Sequence, residues 1–108
     1  MAFRLTKNPT FSAKVKVVTP NDRAGFDTST LTVKYRRPGV DESIELQTLT
    51  ARDVMLKVLI GWEDFLDEDN QPVEFSDATL AAILSDPAAL LAINDAFWST
   101  AIKAREKN

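Results

Sequence analysis

The chain has 108 residues, thirteen Lys/Arg against sixteen Asp/Glu, and neither histidine nor cysteine. Its length suits one core, since a domain organises about 100 to 200 residues, so a single domain over 1–108 is expected. Without His and Cys there can be no disulfide, no Ser-His or Cys-His nucleophile and no ordinary zinc site, which leaves an enzyme only carboxylates, Lys, Ser or Tyr.

Charge is uneven along the chain. Residues 1–37 carry eight Lys/Arg against Asp22 and Asp27, whereas residues 38–108 carry five against fourteen Asp/Glu, with no basic residue between Lys57 and Lys103. Phosphate affinity depends on Lys and Arg, so nucleic acid is not an expected partner. No stretch reaches the roughly 20 apolar residues that span a bilayer. The opening "MAFRLTKNPT" lacks the apolar segment of a secretory signal, and a cytoplasmic protein without membrane contact is expected.

Two runs alternate with a period of two. Phe11, Ala13, Val15 and Val17 oppose Lys14 and Lys16, and Leu31, Val33 and Tyr35 oppose Thr32, Lys34 and Arg36. Such alternation is the mark of half-buried strands. The turn formers of "TPNDRAGFD" between them predict a β-hairpin over about 10–37 with a long loop. A lone hairpin is marginal in water, so helices further along must cover its apolar face. The lysines of its other face read best as protection of an exposed strand surface against aggregation.

Pro38 and Gly39 end the second strand, and the stretch 38–50 is open to helix or loop. Thr50 followed by Asp53 resembles a capping box, and Val54, Met55, Val58 and Leu59 form a helical stripe that Gly61 would stop, with a short buried strand as the competing reading. "GWEDFLDEDNQPVEFS", residues 61–76, is the densest acidic stretch. A calcium loop starting at Asp67 would need glycine at its sixth position and Glu at its twelfth, but Pro72 and Ala78 stand there. Its carboxylates have no flanking residues that suggest a pocket to separate their pKa values. The expected structure is a small acidic hairpin of Trp62 to Leu66 with Val73 to Phe75, in which Trp62 and Phe75 are anchors. No cofactor or metal is expected.

Ser76 is placed to cap a short helix with Asp77 in its first turn and Leu80, Ile83 and Leu84 on one face. Asp86 then caps a final helix with Pro87 at its first position, where proline is favoured, so that 50–104 is the helical part. At about 100° per residue, Leu90, Ile93, Phe97 and Ala101 form one stripe of that helix and Leu91, Trp98 and Ile102 a second beside it. Phe97 and Trp98 are neighbours in sequence and cannot both point into one small core. One of them is therefore a candidate to line a partner or self-association surface, where aromatic residues are enriched. The fold class is α+β, an antiparallel hairpin followed by a mainly helical part with a short acidic turn or hairpin.

The order and spacing of Gly61, Trp62, Asp67, Glu68, Asp69, Pro72, Val73, Phe75 and Ser76, with "AFW" and "KAREKN" near the end and "FRLTKNPTFSAKV" and "PNDRAGFDTST" near the start, resemble the tail assembly chaperones of long-tailed bacteriophages and their prophages. Asn70 stands where those relatives usually carry glycine, and Asn is the next best residue for a left-handed turn. The resemblance implies a non-enzymatic role in the bacterial host cytoplasm: binding the long helical tape measure protein, and helping tail tube subunits gather around it. The second stripe, Leu91, Trp98 and Ile102, is the candidate surface for client or self-association. The alternative is a structural tail component, of tail-completion or tube type, that assembles into rings.

Overall fold

The computed structural model describes residues 2, 3, 5 and 9–106, with side chains as far as Thr100. The alternating runs form strands β1 (Thr10–Pro20) and β2 (Phe26–Arg36), antiparallel and in register, with Phe11 opposite Tyr35, Ala13 opposite Val33 and Val15 opposite Leu31. One face of the hairpin is thus a block of apolar cross-strand pairs. The connection is shorter than expected, only Asn21 to Gly25. The Asn21 side-chain oxygen accepts the backbone N–H of Arg23 and of Gly25, each at 3.0 Å, and supplies locally what a longer loop would have provided.

Residues 38–50 resolve into helix α1 (Val40–Leu46) and a turn. Gly39, its N-cap, offers no side chain, and Asp41 and Glu42 in the first turn face the positive end of the helix dipole instead. Helix α2 (Ala51–Val58) begins at Thr50, whose hydroxyl accepts the Asp53 N–H at 3.2 Å; the reciprocal arm of the box is not made.

Gly61 does not stop this helix. The chain leaves it at Leu59 and enters strand β3 (Leu59–Glu63), which pairs antiparallel with β2 to complete a sheet of order β1-β2-β3. An unpaired β2 edge beside Leu59, Ile60 and Trp62 outweighs the helical stripe, because it satisfies a row of backbone groups that would otherwise stay open. Gly61 lies opposite Lys34, and a Cβ there would meet the Lys34 Cβ at 3.8 Å, an ordinary contact.

Ser76 caps helix α3 (Asp77–Leu84) with both arms of a capping box, and Asp86 accepts the Ala88 N–H at 3.0 Å at the start of helix α4 (Pro87–Glu106). The two helices meet at 99°, and among the described residues no single helix is long and apolar enough to cross a membrane. Sheet and helices share one core: Val33, Tyr35, Met55, Val58 and Ile93 are completely buried. At its centre Phe11, Tyr35 and Phe97 meet with ring centroids 5.1 to 5.7 Å apart. The Tyr35 hydroxyl donates to the Ile93 carbonyl oxygen at 2.7 Å, tying β2 to α4. Burial pushes the Tyr35 phenol well above its usual range.

Candidate partner-binding surface

Helix α4 divides its residues sharply. Ala89, Ile93 and Phe97, spaced four apart, are buried against the sheet, with Leu90 half-buried beside them. Phe97 is 1% exposed and packs against both Phe11 and Tyr35. As a partner-contact candidate it is corrected: the aromatic cluster fixes the rotation of α4, and the inward one of the two adjacent aromatics is Phe97. Trp98 is consequently half-buried on the flank, packed edge-on against Phe97 at 4.9 Å. Leu91, one step round from Leu90, is 58% exposed. Ile102 lies outside the residues whose side chains are described.

Trp98 forms part of two clefts. One, of about 250 Å³, lies between α4 and the α1–α2 corner, with Leu46, Leu49, Ala51 and Val54 on one wall and Asn94 and Trp98 on the other. The second, of about 400 Å³, has Phe11, Pro38, Phe97 and Trp98 as apolar lining and Arg37, Ser43 and Thr100 as polar lining. Helix α1 leaves Val40 and Ile44 exposed, Ile44 to 61%. Its position is held by Arg36, whose guanidinium grips the Glu42 carboxylate with two bonds, 2.6 and 2.9 Å, and reaches the Lys57 carbonyl oxygen at 3.2 Å. Arg36 therefore does not belong with Lys14, Lys16 and Lys34 as a free charge of the outer sheet face. The same hydrogen bonds hold the Glu42 carboxyl below the usual carboxylate range.

One residue of this surface escaped the sequence reading. Asn94 Oδ1 is shielded from solvent and has no hydrogen-bond partner among the described residues, although buried amides nearly always find one. Its spacing from Leu91 and Trp98, three and four residues, was the available signal.

The acidic stretch is a joint. Trp62 belongs to β3, opposite Val33, and the small hairpin expected here reduces to a single bridge between Leu66 and Pro72. The Trp62 indole N–H donates to the Val73 carbonyl oxygen at 2.8 Å, and its ring packs edge-on against Phe65 and Phe75, at 5.1 and 4.6 Å. The Asp67 carboxylate accepts the backbone N–H of Asp69 and Gln71. Asn70 sits at φ 58°, the left-handed conformation its place in the turn calls for. A larger cleft, about 570 Å³, opens beside this joint between Val17, Thr30 and Leu31 of the hairpin and Phe65, Ile83 and Ala89. Among the described residues no group of three Asp or Glu is placed to hold a metal ion.

No protein-family model, curated protein or solved structure matches the chain.

Proposed function

We propose that this protein is a tail assembly chaperone of a long-tailed phage or prophage, working without catalysis in the host cytoplasm. Its client would be the tape measure protein, which it keeps soluble while tail tube subunits gather. The observation that carries the reading is the outward face of α4, where Leu91 is exposed and half-buried Trp98 borders two clefts, the larger of them lined by Phe11, Pro38 and Phe97 as well as by polar groups. A helical client exposes apolar stripes, and an amphipathic helix laid in an apolar groove is a recurrent mode of protein recognition. The acidic stretch 63–77, which carries no basic residue, supplies the charge that keeps such a complex in solution.

Coexpression with the tape measure protein tests this. Wild type is expected to keep the client in the soluble fraction and Trp98→Asp to lose it while remaining folded by circular dichroism; equal client solubility with both proteins refutes the reading. The structural-component alternative draws on the outer sheet face, where Lys14, Lys16 and Lys34 are exposed. Light scattering of the purified protein separates the two, since a stable ring without client favours the structural component and monomers or loose oligomers favour the chaperone.

A further inference from the structure

The 570 Å³ cleft beside the acidic joint is of a size that seats ligands and side chains, and the client seat on α4 makes no use of it. Val17, Leu31, Phe65 and Ile83 give it an apolar lining, while Asp64, Asp67 and Asp86, all exposed, give it charge of one sign. No Lys or Arg lines it, and among the described residues none of the three carboxylates has an ion-pair partner. Asp67 and Asp86 each commit one oxygen to the backbone, Asp67 to the N–H of Asp69 and Gln71 and Asp86 to that of Ala88. The chemistry that complements such a cleft is a short apolar segment with a cation beside it.

The chain carries that segment itself. The arm "AFRLTKNP", residues 2–9, holds Phe3 and Leu5, which are 83% and 92% exposed, together with Arg4 and Lys7, and no acidic residue precedes Asp22. An extended chain projects every second residue to one side, so a bound arm presents Phe3, Leu5 and Lys7 together, two apolar groups and a cation. The arm cannot fill its own cleft. Leu5 stands five residues before Thr10, where β1 begins, a reach of at most about 18 Å, and the arm would have to double back along β1 to Val17, about 23 Å from Thr10. Independently of the client seat, we infer that the arm of one copy docks in the cleft of a second copy, Phe3 and Leu5 on the apolar lining and the basic residues against Asp64, Asp67 and Asp86.

The test uses the full chain and two complementary variants, followed by analytical ultracentrifugation. Phe3→Asp with Leu5→Asp spoils the arm and leaves the cleft intact. Ser29→Trp, at an exposed strand position on the cleft wall, fills the cleft and leaves the arm intact. Wild type is expected to associate reversibly with rising concentration, and each variant alone to stay monomeric while melting close to wild type. Mixed one to one, the two variants should associate again as a 1:1 pair, because one supplies the arm and the other the cleft. Asp64→Asn with Asp86→Asn removes two charges while keeping a residue that tolerates the left-handed turn at φ 61° and one that caps α4. It should weaken wild-type association several-fold, by a factor that shrinks in about 1 M salt.

Variants that stay monomeric when mixed overturn the inference, since the arm and the cleft then do not meet between copies. Association that survives either variant alone overturns it as well, by assigning the contact to another surface. A wild type that remains monomeric at about 1 mM leaves the cleft to a different protein and overturns the arm as its occupant. Association unchanged in the asparagine double variant also counts against it, because charge is what selects this arm.

Discussion

The two faces of α4 are built from the same kinds of residue and do opposite things. Inward, Ala89, Ile93 and Phe97 are 5% exposed or less and belong to the core, with Phe97 against Phe11 and Tyr35, whereas outward Leu91 is 58% exposed and Trp98 is half-buried. The difference is not in hydrophobicity but in complementarity: the inward residues have a sheet whose cross-strand pairs fit them, whereas outward Leu91 faces solvent and Trp98 borders clefts. Apolar area left on a helix beside an orphaned amide is a cost to stability that the inward face offsets. That division is what a surface reserved for a partner requires.

The widest gap between the faces should appear on truncation. Phe97→Ala removes one ring of the three-membered aromatic cluster with Phe11 and Tyr35 and should cost about 3 to 5 kcal/mol, read as a large drop in the denaturant midpoint. A loss below about 1 kcal/mol, the scale of an ordinary surface change, would mean that α4 can rotate and that the two faces are interchangeable.

Tyr35→Phe tests the pin between sheet and helix. Loss of its hydrogen bond to the Ile93 carbonyl should cost about 1 kcal/mol. Burial also raises the folded-state pKa of Tyr35, so its contribution is fully present below the unfolded value, about 10, and is lost as pH rises through the folded value. Wild type should therefore lose stability in alkali more steeply than Tyr35→Phe. Parallel alkaline curves would show that the phenol is not enclosed as described.

How much of this division was legible beforehand depended on how local its causes are. The hairpin could be read because period-two alternation records burial directly, and the starts of α3 and α4 because Ser76, Asp86 and Pro87 act on the backbone next to them. Leu59 to Glu63 could not be read as a strand with certainty: its partner is β2, more than twenty residues away in sequence, and Leu59 fits a helical stripe equally well. That one of Phe97 and Trp98 must face outward follows from adjacency alone. Which one does depends on Phe11 and Tyr35, long-range neighbours. Asn94 looked like an ordinary polar helix residue, and only the burial of its oxygen marks it.

A smaller effect concerns the wall of the outward clefts. The Arg36–Glu42 pair holds α1 to the end of β2, but its side chains are 37% and 36% exposed, so screening limits it to about 0.2 to 1 kcal/mol. Because Glu42 is held below its unfolded pKa, this contribution is present above that value, about 4.3, and is lost as pH falls through the folded one. A double-mutant cycle with Arg36→Met and Glu42→Gln should give a coupling that is present at neutral pH and fades in acid. A coupling that persists in acid would assign the link between β2 and α1 to packing instead.

The smallest effect is the most pointed. Leu91→Ala removes an exposed side chain from a helix in which alanine has the better intrinsic propensity, so stability should shift by no more than about 0.5 kcal/mol in either direction. Leu56, half exposed on α2 and away from the outward face of α4, supplies the control: Leu56→Ala should be similarly mild for stability. The two substitutions should separate only in client binding, where Leu91→Ala weakens the interaction and Leu56→Ala leaves it unchanged. If Leu91→Ala instead lowers the melting midpoint as a buried truncation does, the outward face is part of the core in solution, and the contrast between the two sides of α4 fails at its thinnest point.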